Sequence, residues 1–309
     1  MQRQNFALTI GFAVTLLAGC GGGGGGGGSS IDTKGADTPA TLTAPSDGAK
    51  AAQALMGLPS ALAVAIPQQS TKSASTAKST QQNCPVSGNV VFSPNDATAY
   101  TLDGVAQFFA CVSSTNKGDV TLNGPVNDIC NVSVDSSHCA NLAGALGDSG
   151  TPFSAELKSA SADSIVRLDS SFLTALTQSS ATLGLNGVGQ VENLLVPKSI
   201  EFLFDSLQFA VADNGGGTQA ITPSGAYGLS DAARTTANCI SGKLTVNTVT
   251  AVTTDANGTF VGGELHLTGA GSVIADVVYN ADSSIEVKIN DGAPVNFTAA
   301  QLAAFCSIN

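Results

Sequence analysis

Ile200, Phe202 and Phe204 alternate along the chain, and Leu207, Phe209 and Val211 alternate one residue out of phase. A period of two marks a strand with one buried face, and a bulge near Asp205-Ser206 reconciles the two phases in one long strand. The same period runs through Ile240 to Thr250, Thr259 to Thr268, Ser272 to Asn280 and Ser284 to Asn290. Turn residues separate these runs, at Asp255-Ala256-Asn257-Gly258, Gly269-Ala270-Gly271 and Asn280-Ala281-Asp282-Ser283, which predicts an antiparallel meander. Upstream, Val86 to Phe92, Ala99 to Val112 and Asp119 to Val126 are strand candidates. Two stretches read as helices: Ser170 to Ser180, with Phe172, Leu173 and Leu176 on one side, and Ala299 to Phe305, capped by Thr298. The predicted fold class is all-β, mainly an antiparallel sandwich or wrapped sheet, with one or two short helices.

The N-terminal third is organised differently. Gly21 to Gly28 is a run of glycines, which lose the most backbone entropy on ordering. Ser29 to Gln82 continues with Ser, Thr, Ala, Gln, Pro and Lys, so residues 20–82 read as a tether and 83–309 as the β domain. As a flexible coil, residues 21–82 would span roughly 40 to 50 Å. Leu55 to Ile66 interrupts this composition and is apolar enough to dock on the domain as a short helix or edge strand. Asn83-Cys84-Pro85-Val86-Ser87-Gly88 matches Asn238-Cys239-Ile240-Ser241-Gly242 with one residue dropped, and Gly118 to Gly124 matches Gly263 to Gly269 class for class. These matches suggest two related halves, 83–212 and 238–309; a short strand between tight turns would look the same.

Ahead of the glycines, Phe6 to Leu17 is an apolar run of 12 residues behind Arg3. It is too short to span a membrane, which takes about 20 residues, and has the layout of an export signal. Leu17-Ala18-Gly19-Cys20 resembles the lipobox of bacterial lipoproteins. The resemblance implies cleavage after residue 19, acylation of Cys20 and attachment to the membrane through its acyl chains. Gly21 in place of Asp at the position after that cysteine implies the outer membrane, facing the periplasm or the cell surface.

Without the signal, 11 basic and 23 acidic residues remain, a net charge of −12. Nucleic acid is thereby excluded as a partner, because phosphate binding needs clustered Lys and Arg. With Cys20 assigned to lipid, six cysteines are left, at 84, 111, 130, 139, 239 and 306. An even number in an exported chain suggests three disulfides. Local hairpins favour nearest-neighbour pairing: Cys84 with Cys111, Cys130 with Cys139, and Cys239 with Cys306.

Candidate chemistry is sparse. Ser136-Ser137-His138-Cys139 and Gly147-Asp148-Ser149-Gly150 look like the histidine and serine signatures of trypsin-like proteases, but they are too close together for a triad shared by two barrels. No GxSxG elbow is present. His266 alternates with Leu265 and Leu267 and reads as an exposed strand histidine. Asp213-Asn214-Gly215, Asp255 to Gly258 and Asn290-Asp291-Gly292 offer oxygen ligands, but none continues into a calcium loop, so they read as tight turns. No cofactor or metal site is expected. These residues support a non-enzymatic binding or structural role; the alternatives are a hydrolase using carboxylates from distant segments, or an apolar-ligand carrier with a cavity lined by Phe202, Phe204 and Phe209.

Overall fold

The computed structural model describes residues 31–65, 80–94, 104–115, 118–135, 138–148, 151–159, 163–176, 180–196 and 198–306. Cys20 and the residues read as a signal lie outside these. Fifteen strands form one sheet. They are β1 (Thr80–Asn83), β2 (Ser87–Pro94), β3 (Gly104–Thr115), β4 (Gly118–Asp135), β5 (His138–Leu146), β6 (Phe153–Lys158), β7 (Asp163–Leu176) and β8 (Ser180–Asn193). There follow β9 (Lys198–Gly215), β10 (Thr218–Leu229), β11 (Gly242–Thr254), β12 (Phe260–Thr268), β13 (Ile274–Tyr279), β14 (Ile285–Ile289) and β15 (Val295–Phe297). Neighbours in sequence are neighbours in the sheet, with one exception: β5 and β6 both pair with β4 and β7, at different levels along them. The fold is therefore all-β, a single wrapped sheet.

The long strands bend where one residue is inserted. In β9 the core positions Ile200, Phe202 and Phe204 change phase to Leu207, Phe209 and Val211, all buried, across Ser206 at φ 53°. The Asn186 carboxamide of β8 accepts the displaced Ser206 N–H at 2.6 Å, and Gly187, at φ 125°, makes room behind it. The same device recurs between β3 and β4, where Ala110 at φ 45° donates its N–H to Asn123 Oδ1 at 2.7 Å beside Gly124. A non-glycine residue rarely takes these angles, and the side-chain acceptor compensates the broken ladder.

Among the described residues three α-helices accompany the sheet: α1 (Pro45–Ala65), α2 (Asp231–Thr236) and α3 (Ala299–Leu302). The first corrects the tether expected over 20–82. Ala49, Ala51, Ala52, Ala54, Leu55, Met56 and Leu58 are all nearly inaccessible, so most of α1 is enclosed by its own protein, while Lys50, Gln53 and the exposed Gly57 line its more open side. It packs against β6 and β7 on one side and against β12, β13, β14 and α3 on the other. Its start is well specified. Pro45 occupies the first turn, and Asp47 Oδ2 accepts the Thr43 and Ala44 N–H groups at 2.9 Å. Tyr227 of β10 donates its hydroxyl to the Ala51 carbonyl at 2.9 Å. Before α1, residues 34–42 form a strap across the ends of β10, β11 and β12: Asp231 N to Lys34 O, Lys243 N to Thr38 O, Ala40 N to Lys243 O, and Ala270 N to Ala40 O. Alanine-rich, low-complexity sequence suggests a linker, but small side chains are also what a tightly enclosed helix needs.

The helix expected over Ser170 to Ser180 is also corrected. Residues 170–176 belong to β7, with Phe172 buried and Leu173 exposed on opposite faces. The strand period Val166, Leu168, Ser170, Phe172 prevails there, because neighbours on both sides supply backbone partners. At the C-terminus Thr298 caps α3 with a capping box to Gln301. Disulfides join Cys84 to Cys111 and Cys239 to Cys306. The backbone sets Cys130 opposite Leu142 and Cys139 opposite Ser133; the side chains of Cys130 and Cys139 lie outside the described residues. The motif pairs that suggested two halves sit in unlike settings: Cys84 is tied to a strand of the sheet, Cys239 to the residue that follows the terminal helix segment.

Candidate functional site

The largest convergence of charged groups from separate strands lies on the sheet face turned away from the core. Register builds it. Ser154 of β6 is opposite Arg167 of β7, Arg167 opposite Gln190 of β8, and Gln190 opposite Glu201 of β9. Residues directly opposite on one face are within side-chain reach, so the row can close into a ladder. Arg167 Nη1 donates to Gln190 Oε1 at 2.7 Å and to Glu192 Oε2. Gln190 Nε2 donates to Glu201 Oε1 at 3.2 Å, and Ser230 Oγ donates to Glu201 Oε2 at 2.6 Å. Ser230 Oγ in turn accepts the Ala233 N–H as the cap of α2. Glu201 is 4% exposed, covered by α2, and both its oxygens are satisfied. The ladder thus stitches three strands, β7, β8 and β9, and a helix together.

At the β6–β7 end the network carries Glu156, Lys158 and Asp163. Lys158 Nζ lies 3.5 Å from Asp163 Oδ2. Burial, then the charge of Asp163, raises the Glu156 carboxyl above its usual range, against the pull of Lys158 and Arg167. A second outer-face group spans β12 to β14: His266 Nε2 is 3.2 Å from Asp276 Oδ1 and 3.6 Å from Glu264 Oε1, and Lys288 Nζ is 3.2 Å from Asp276 Oδ2. His266 is therefore half-exposed on its strand, as its alternation indicated, but with acidic neighbours.

The other candidates are placed as follows. The His138 and Leu146 backbones bound β5, about 26 Å apart by strand rise, and Asp148 lies two residues beyond its far end. Ser149 lies outside the described residues. Asp213 and Asp255 each turn a carboxylate onto their own turn's N–H groups: Gly215 N for Asp213, and Asn257 N and Thr259 N for Asp255. Asp282 does the same with Ser284. Those bonds hold the Asp255 and Asp282 carboxyls below the usual carboxylate range. Phe202, Phe204 and Phe209 are packed in the core cluster, Phe202 stacked on Phe204 with ring centroids 5.9 Å apart. Among the described residues, no group of three or more His, Cys, Asp or Glu side chains is placed to hold a metal ion. Nor is any described helix long and apolar enough to cross a membrane, which leaves strands unaddressed.

Sequence reading missed the ladder. Its members do alternate, as Ser154, Glu156 and Lys158 in one run and Gln190 and Glu192 in another, but only the pairing of β6 through β9 shows that the runs face one another. Comparison with known proteins finds no matching family model, curated protein or solved structure.

Proposed function

We propose that this chain is an outer-envelope lipoprotein, anchored through acyl chains on Cys20, whose wrapped sheet binds or scaffolds a partner and does not catalyse a reaction. The observation that carries the reading is the filling of the sheet by α1 and the strap. Charged groups outside that core are engaged with one another in structural networks, and the phenylalanines that would line a carrier's cavity are core. The rival with a specific observation in its favour is a carboxylate-dependent hydrolase, since Glu156 and Asp163 come together on β6 and β7.

The folded strap also changes the geometry of attachment. Only 12 residue steps separate Cys20 from Asp32, which reach at most about 40 Å. A domain held that close would work at the membrane surface. Cys20→Ser is expected to leave the protein unprocessed or soluble, and native mass spectrometry of the detergent-extracted wild type is expected to show an acylated Cys20 terminus with a co-purifying partner. An unchanged, detergent-requiring mature form of the variant would refute the anchor; stoichiometric turnover of a hydrolysable substrate that Glu156→Gln abolishes would replace binding by catalysis.

A further inference from the structure

We infer that Glu156 and Asp163 hold one proton between them, and that the resulting carboxyl–carboxylate hydrogen bond is a pH-sensitive clasp on the β6–β7 hairpin. Register sets the geometry. Lys158 lies opposite Asp163 and Glu156 opposite Ile165, so the two carboxyls are diagonal neighbours on the outer face, a spacing that side chains of this length close. The two oxygens of Asp163 have unlike surroundings. Oδ2 faces Lys158 Nζ at 3.5 Å, whereas Oδ1 is buried and accepts no hydrogen bond from any donor among the described residues. A buried acceptor without a donor is a standing cost to the fold. The register places the Glu156 carboxyl diagonally across from Asp163, and a carboxyl can donate only when protonated. One proton on Glu156 therefore satisfies the orphaned oxygen and relieves the repulsion of two adjacent carboxylates.

The charged groups that face the pair come from every strand around it: Asp119 on β4, opposite Lys158; Lys158 on β6; Arg167 on β7; and Glu192 on β8, opposite Ile165. Lys158 and Arg167 favour the ionised form, but burial and Asp163 outweigh them. The sign of the linkage follows. A carboxyl raised in the folded state contributes stability that is present below its ordinary value and is lost as pH rises through the raised one. The proton then leaves to solvent, and Glu156 competes with Glu192 for Arg167, the first member of the ladder. The clasp is independent of whether Cys20 is lipidated.

The test is amide exchange of the full chain in detergent, normalised to intrinsic rates, over residues 154–158 and 163–167 between about pH 4 and pH 8. Wild type should lose protection several-fold as pH rises. Glu156→Gln, whose amide donates to Asp163 at any pH, should show no such loss, and Glu192→Gln, outside the pair, should keep it. Carbon-detected titration should place Glu156 above an ordinary glutamate. Protection that does not change with pH in wild type, a Glu156→Gln variant with the wild-type loss, or a Glu156 that titrates at its ordinary value would each overturn the clasp.

Discussion

Gly48 marks a close approach of α1 to the sheet: a Cβ there would lie 2.8 Å from both Ala275 Cβ and Val287 Cγ1. In an open helix, Gly→Ala gains up to about 1 kcal/mol of propensity. Here overpacking against a rigid strand costs about 1–3 kcal/mol, so Gly48→Ala is expected to be net destabilising in urea titration despite its better helix propensity. Leu55, fully buried, should lose about 2–5 kcal/mol as Leu55→Ala. Acid acts on other residues. The Asp255 and Asp282 carboxyls are held low by their turns' N–H groups and the Ser284 hydroxyl, so they contribute stability above the ordinary carboxylate value of 3.8 that is lost as pH falls through their lower folded values. Exchange of the Asn257, Thr259 and Ser284 amides should accelerate, relative to intrinsic rates, in that acidic window, the opposite sense to the β6–β7 hairpin.

Among elements, α2 depends on the ladder beneath it. Glu201→Ala removes the acceptor of both Gln190 and Ser230, which leaves donors under a helix, and should cost about 1–3 kcal/mol in thermal or chemical unfolding. The Cys239–Cys306 bond closes a separation of 67 residues, for which the chain-entropy model gives about 4 kcal/mol. Replacing both cysteines by alanine should cost most of that and release α3 first, seen as lost protection at Leu302 and Phe305. The strands that sequence exposed best were those with one buried face and a tight turn at each end, as β9 and β11 to β14 show. The bulge at Ser206 was legible because a phase slip in alternation has only one cheap explanation. The β7 segment misled because Ser170-Ser171 looks like a cap wherever it occurs; α1 was legible in its apolar stretch from Leu55, which docks as a helix, but not in its alanine-rich first half, where Lys50 and Gln53 leave too narrow a polar stripe to read. The ladder and the Glu156–Asp163 pair depend on register between strands, which no single run of residues contains.

For the molecule as a whole, the topology is nearly sequential, strand after strand, yet the core closes between its first element and its last ones. Ala51 and Tyr227, joined by a hydrogen bond, are 176 residues apart, and β13 and β14 lie farther still along the chain. Long-range closure of this kind makes folding slow, because loop entropy is spent before contacts repay it. The N-terminus emerges first during synthesis, and α1 finds no complete surface to pack on until residues near 302 have followed it. A polypeptide of this topology cannot finish its core until almost all of it has been made. The topology also implies that any nascent chain stopped short of β13 carries α1 without its partners in β13, β14 and α3, its apolar surface there a natural mark for quality-control proteases.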